Sequence, residues 1–397
     1  MKKIMILGAS ILQLPAIEKA KKLGLSVVVV DMNPNAIGFE LDGIDKEIIS
    51  TIDTETIVKA AKRHKIDGIM TLATDMPMRS VAAVAKELNL IGINEVTALR
   101  ATNKAEMRKA LEENHVPVPM FFKVSNLDEF KVAVKHFSNQ FMIKPADSSG
   151  SRGIYLANID MKLEDLIGCY NYSKQYSRTG DVVVEEYMIG PEVSVETLTV
   201  NGKCHVIQIT DKLTTGAPHF VEMGHSQPTR LSEEISERIS QVAIDANKAI
   251  GIENGPSHTE IIVTEDGPKI VELGARLGGD NIATHLVPLS TGIDIVECCI
   301  RIALGENPDL EPKKKNGSAI RYFNQKAGCI AAIDGIKEAK RVDGIKQISI
   351  VYDVGEDITD IENSAARMGF VIADGKDAND AIKKCEEALE KINIVIE

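Results

Sequence analysis

Cysteine is scarce: Cys169, Cys204, Cys298, Cys299, Cys329 and Cys385 are the only six in 397 residues, and none falls in a C-x-x-C pair. That excludes a disulfide framework or a zinc knuckle and fits free, mostly buried thiols in a reducing compartment. No apolar run approaches the ~20 residues of a membrane span. Positive charge is also in deficit, with 46 Lys plus Arg against 58 Asp plus Glu and a net charge of -12, so a nucleic-acid partner is a poor expectation. Met1-Lys2-Lys3 before Ile4 to Leu7 imitates a signal peptide. Gly8, Gln13, Pro15, Glu18 and Lys19 break the apolar stretch, and the segment reads instead as the first strand of a cytoplasmic protein. With 44% hydrophobic and 26% charged residues, the composition is that of a folded chain of two or three domains.

The chain opens with a β-α-β pattern: a strand at 3–7, a helix at 14–23, and the β-branched run Val27 to Val30 ending at Asp31. A helix at 54–64, a strand at Gly68 to Thr71 and a helix at 77–88 continue the alternation and predict a doubly wound parallel sheet. The dinucleotide fingerprint is missing, because Gly8 is followed by Ala9, Ser10, Ile11 and Leu12. Asp31 could hold a ribose, but an architectural role for this unit is the stronger reading, and an oxidoreductase the weaker one. After a helix at 103–113, the runs 182–184, 193–200, 206–210, 258–264 and 269–273 predict a mainly antiparallel sheet. Helices near 231–250 and 292–304, a linker around Pro312 to Gly317 and a closing helix at 377–392 follow.

Three segments carry chemistry. In His258 to Gly274, a three-residue loop Glu265-Asp266-Gly267 would place Ile262 opposite Ile270, Ile261 opposite Val271, and Glu260 opposite Glu272. Like charges so placed, with Cβ atoms ~5 Å apart, are destabilising unless a cation lies between them, and hard oxygen ligands suit Mg²⁺ or Mn²⁺. A two-residue Asp266-Gly267 turn would instead send the two glutamates to opposite faces. The second segment, Lys144 to Gly153, sets Ser148, Ser149, Gly150 and Ser151 after a strand-end lysine. It is either a backbone cradle for phosphate or a plain connection, and it is not a Walker A loop. In the third, Val182 to Glu196, apolar residues run into Glu185, Glu186, Tyr187 and Met188, then Gly190 and Glu192, where a strand end could face adenine and a carboxylate ribose; the alternative is an exposed acidic loop.

Taken in order, Asn103-Lys104, Lys144, the Ser/Gly loop, Glu185-Glu186-Tyr187 with Glu192, and Glu260 with Glu272 resemble the ATP-grasp superfamily. Thr210-Asp211-Lys212, Gly224-His225 and Glu272 to Gly279 look most like its carboxylate-amine ligase branch, which includes carbamoyl phosphate synthase large-subunit-like and L-amino-acid ligase proteins. The resemblance implies a multidomain α/β and α+β chain: a Rossmann-like pre-ATP-grasp domain at 1–101, an ATP-grasp domain at 102–310 with a lid at about 116–185, and a small C-terminal α+β domain at 311–397.

It further implies that Lys104 and Lys144 meet the α and β phosphates of ATP and that the loop from Asp147 to Gly153 closes over the γ-phosphate. Glu185 with the backbone of Glu186 to Met188 would hold adenine, Glu192 ribose, and Glu260 and Glu272 Mg²⁺ or Mn²⁺. Arg276, Lys212 and His225 would serve the substrate. Many members carry Asn two residues after the second glutamate; this chain has Gly274. Tyr170, Tyr172 and Tyr176 are expected to pack, and His258 to be structural. The expected activity is ADP-forming ligation of a small carboxylate and an amine through an acyl phosphate, in a protein that is often a homodimer. A bicarbonate-activating carboxylase and a non-catalytic ATP-binding regulator are the alternatives.

Overall fold

The computed structural model of the chain describes residues 1–148, 150 and 152–397; Ser149 and Ser151, expected in the phosphate loop, lie outside the described residues. The first sheet is formed by β1 (Lys3–Leu7), β2 (Ser26–Asp31), β3 (Asp45–Ile48) and β4 (Gly68–Thr71), parallel and ordered β3-β2-β1-β4. β1, β2 and β4 are apolar over most of their length because both faces of the sheet are covered there, whereas the edge strand β3 is Asp45-Lys46-Glu47-Ile48 and largely exposed. Met5, Leu7, Val28 and Val30 pack toward the helices Thr54–His64 and Met78–Leu88. Ile4, Ile6, Val27 and Val29 pack toward Leu14–Lys22 and, from the middle of the chain, Ile295–Ala303. Gly68 admits that last helix: a Cβ there would stand 2.6 Å from the carbonyl oxygen of Ala303.

The first β-α turn is built against a dinucleotide. Gln13 fills the space beside Gly8, accepting from Ser10 and donating to Leu72 O at 2.6 Å. Asp31 is spent on the backbone N–H groups of Ala9 and Asn33 rather than left for a ribose.

A second sheet, ordered β5-β8-β6-β7, comprises β5 (Phe121–Val124), β6 (Gln140–Pro145), β7 (Tyr155–Asn158) and β8 (Val182–Glu186). Its own core includes Phe130, Phe141, Ile143, Tyr170, Val182 and Val184. The central sheet takes β9 (Glu192–Val200), β10 (Lys203–Thr214), β11 (Glu222–Gln227), β12 (Gly255–Thr264) and β13 (Gly267–Gly274). It is continued by β14 (Gly317–Tyr322), β16 (Ile345–Ile350) and β18 (Gly369–Gly375), in the order β13-β12-β9-β10-β11-β14-β18-β16. C-terminal residues therefore extend the same sheet. A small sheet of β15 (Gly328–Asp334), β17 (Asp357–Ile358) and β19 (Asn393–Ile396) completes the architecture. Among the described residues no helix is long and apolar enough to cross a membrane.

His225 lies on β11 and is buried. One local expectation needs correction. The β12–β13 turn is the two-residue Glu265-Asp266, with Thr264 opposite Gly267 and Ile261 opposite Ile270, one position off the three-residue register. An irregularity between Glu260 and Ile261 then takes up Val271 and restores Glu260 opposite Glu272, as a β-bulge does by setting two residues against one.

Candidate active site

The second and central sheets, the loop after β4 and the C-terminal segment enclose a cavity of about 370 Å³. Every sequence-expected site residue among those described lines it: Lys104, Lys144, Ser148, Gly150, Glu185, Glu186, Tyr187, Met188, Glu192, Lys212, His225, Glu260, Glu272 and Arg276.

At one end Asn103 caps the helix Lys104–Glu113 through the N–H groups of Ala105 and Glu106, which fixes Lys104 in its first turn. Lys104 Nζ lies 2.9 Å from Ser148 O and 2.8 Å from Glu272 Oε1. One turn on, Arg108 is 1% exposed and donates through Nε to Glu185 Oε2 at 3.0 Å, while Lys144 Nζ reaches Glu185 Oε1 at 2.5 Å. Burial pushes the Glu185 carboxyl up, but Arg108 and Lys144 outweigh it and hold its pKa at about 2. The Glu185 side chain, expected to help hold adenine, is therefore spent on Arg108 and Lys144, and its backbone lies within the sheet between β5 and β6. Arg108 was missed in the sequence; its signal was the i,i+4 spacing from Lys104 on one helix face.

Along the floor, Lys212 Nζ stands 2.6 Å from Glu192 Oε1, 2.9 Å from Glu260 Oε1 and 3.7 Å from Glu222 Oε1. Burial alone would lower its pKa, yet the three carboxylates raise it well above the usual value, so Lys212 stays an ammonium. Glu260, despite burial, is held well below the carboxylate range by Lys212 and His258. His258, expected to be structural, pairs through Nδ1 with fully buried Glu196 at 2.5 Å, which overcomes burial and lifts its pKa to about 9, and its Nε2 lies 3.5 Å from Glu260 Oε1 at the cavity wall. Tyr170 packs on Phe130 and Tyr172 edge-on against Tyr176, although Tyr172 is exposed and borders the cavity.

At the far end Arg276 donates through Nε to Asp75 Oδ1 at 2.9 Å and through its second terminal nitrogen to Asp75 Oδ2 at 3.2 Å. Arg367 grips Asp280 at 2.8 and 2.7 Å, and His225 Nε2 lies 3.3 Å from the same carboxylate. Both loops are strained. Ala73 has φ +60°, Asp280 +50° and Asn281 +61°, a left-handed region that costs a residue with a Cβ about 1–2 kcal/mol.

Glu260 and Glu272 suit a divalent cation. Among the described residues no three His, Cys, Asp or Glu side chains form a ready metal cage. Two carboxylates are nevertheless the set that Mg²⁺ takes when phosphate oxygens and water supply the rest.

Residues 137–284 match the family model of the ATP-grasp domain, 17–91 that of the ATP-grasp N-terminal domain, and 321–397 that of L-amino acid ligase C-terminal domain 2. The chain carries an ATP-grasp domain and an ATP-grasp N-terminal domain. It is 26% identical over 277 residues to the alanine–anticapsin ligase of Bacillus subtilis, covering 64% of this chain and 58% of that ligase. It is 22% identical over 393 residues to the N-terminal section of the carbamoyl phosphate synthase large chain of Methanopyrus kandleri, covering 94% of this chain and 65% of that one. The chain thus matches less than two thirds of either relative's length. The crystal structure of an L-amino acid ligase from Bacillus licheniformis superposes with a TM-score of 0.85 at 23% identity, over 100% of this chain and 99% of that one, a likeness of fold.

Proposed function

We propose that this ATP-grasp protein is an ADP-forming ligase that joins a small carboxylate, an amino acid in the first instance, to an amine through an acyl phosphate. One observation carries the reading: Glu260 and Glu272 face each other on the wall of a single cavity that has Lys104 and Lys144 on one side and Arg276 on the other. The match of the C-terminal residues to an L-amino acid ligase domain supports it.

Lys104 and Lys144 hold the α and β phosphates, with Ser148 and Gly150 in the loop over the γ-phosphate. The backbone of Glu186 to Met188 meets adenine, and Glu192 ribose. Mg²⁺ or Mn²⁺, held by Glu260 and Glu272, supplies charge neutralisation of the phosphates. A substrate carboxylate oxygen bonds to the γ-phosphorus as the bond to ADP breaks. Arg276 donates to the oxygens that gather charge, and Lys212 and His225 line the floor on the substrate side. The amine then forms the C–N bond as phosphate leaves with the acyl C–O electron pair. Closure of the loop keeps water from the acyl phosphate.

The test is a screen of paired amino acids for Mg²⁺-dependent ADP release with product detected by mass spectrometry. Turnover that follows bicarbonate and ignores amino acids would replace this reading with a carboxylase.

A further inference from the structure

A second cavity, of about 290 Å³, adjoins the first. It opens between the N-terminal segment, through Thr54, Met76, Arg79 and Thr102, and the segment bearing Asp147 and Arg178. Asp75, Ser148 and Glu272 border both cavities, so the two meet where the phosphate loop and one of the two opposed glutamates stand.

The charges divide along its length. The shared inner end carries the carboxylates of Asp75 and Glu272. Away from it, Arg79 and Arg178 are exposed, one from each wall. Arg79 is fixed by its Nε on Thr102 Oγ1 at 3.0 Å, and Arg178 by its backbone N–H on Asp147 Oδ1 at 2.9 Å. Asp147, on the same wall as Arg178, keeps its charge while Ser177 Oγ and the backbone N–H groups of Arg178 and Thr179 donate to its two oxygens, so the two guanidinium groups outnumber it. The inner carboxylates are each matched by a cation, Asp75 by Arg276 and Glu272 by Lys104, so the unmatched charge is that of the guanidinium groups at the mouth, which complements the carboxylate of a ligand whose amine enters first.

A ligase must bring a third ligand to the acyl phosphate once nucleotide and carboxylate substrate are in place. A cavity of 370 Å³ is near the lower end of the usual range for one small-molecule site, about 300–1,000 Å³. We infer that the second cavity is the acceptor site and takes an amino acid, its α-carboxylate held by Arg79 and Arg178 and its amine directed past Asp75 and Glu272 to the acyl carbon. This rests on the ligase reading above. The amine attacks as the neutral base, so its ammonium proton passes to solvent or to the departing phosphate, and no further reactant is needed.

Hydroxylamine separates acceptor binding from activation, because it is small, carries no carboxylate and traps an acyl phosphate as a hydroxamate with release of phosphate. The probes are the pool of twenty amino acids with MgATP, with and without hydroxylamine, and the same acceptors as free acids and as carboxamides. Arg79→Met and Arg178→Met should each raise the KM for the acceptor at least tenfold, and raise the ratio of hydroxamate to dipeptide by a similar factor. The wild-type preference for the free acid over the carboxamide should fall toward one. Hydroxamate and dipeptide falling in parallel, or an unchanged preference for the free acid, overturns the acceptor site while leaving the ligase reading intact. Absence of any hydroxamate from the wild type overturns the ligase reading and the acceptor site with it.

Discussion

Asp75 and Arg276, 201 residues apart, form a two-point ion pair that brings the loop after β4 to the end of the glutamate hairpin. The same pair accounts for Gly274: a Cβ there would stand 2.5 Å from Asp75 Oδ1, so the carboxylate takes the volume that the family's asparagine would need. Arg276→Ala should cut substrate-dependent kcat/KM by about 10²-fold, the scale of a lost transition-state donor, with ATP affinity changed far less. Asp75→Asn keeps an acceptor but drops the charge and should fall between Arg276→Ala and wild type. Steady-state kinetics beside nucleotide titration checks both, and equal losses in the two measurements would contradict the assigned place of Arg276.

Glu272→Gln should abolish Mg²⁺-dependent ATP turnover, by about 10²-fold or more, with the fold retained. The substitution is nearly isosteric and Glu272 is only partly buried, at 33% side-chain exposure, so its cost falls on charge. It also removes the partner of Lys104 Nζ at 2.8 Å. Phosphate release against Mg²⁺ concentration, with circular dichroism as the fold control, decides it; near-normal turnover would be incompatible with a metal role for this glutamate.

Glu185 sets an acid limit on stability. Its carboxyl titrates at about 2 in the fold and near 4.3 in an unfolded chain, so its contribution is complete above the unfolded value and drains away as pH falls toward 2. Glu185→Gln leaves Arg108 and Lys144 buried together without a counter-charge and should cost about 3–5 kcal/mol. Urea midpoints from pH 7 to 3 should show the wild type losing stability in the acid limb and the variant losing less there from a lower start.

The extent to which this site was legible follows the range of the signals. The lysines, the Ser/Gly loop and the two glutamates are marked by local pattern, and the structure brings all the described ones to one cavity. The hairpin was reached through two deviations that offset each other: the turn closes one residue early, and the bulge at Val271 restores the register. Neither is written in turn propensity, because a bulge is chosen by packing across the sheet. Asp75, Asp280 and Arg367 were not found, since each acts on a residue far along the chain and a lone acid or arginine in a loop carries no spacing to read. β11 was missed because Glu222-Met223-Gly224-His225-Ser226-Gln227 is polar yet buried over most of its length, between β10 and β14, so hydrophobic alternation gives no cue.

Gly190 offers the sharpest test of how the adenine-side strand is seated. It follows Tyr187 and Met188, has φ +153°, and a Cβ there would stand 2.0 Å from the carbonyl oxygen of Val263 on the hairpin strand. Backbone, not a movable side chain, blocks the site, and Val263 N is in turn bound to Pro191 O at 2.9 Å. Gly190→Ala must therefore push the 187–191 segment off the hairpin, at a cost of about 1–3 kcal/mol in strain. Because that segment also carries the backbone expected to meet adenine, ATP affinity should fall with stability. A second variant separates the two effects: Ile189→Ala trims a neighbouring side chain that is 75% exposed and should leave both nearly unchanged. Thermal unfolding and nucleotide titration on the pair give the answer. Wild-type ATP affinity in Gly190→Ala would mean that adenine is held elsewhere.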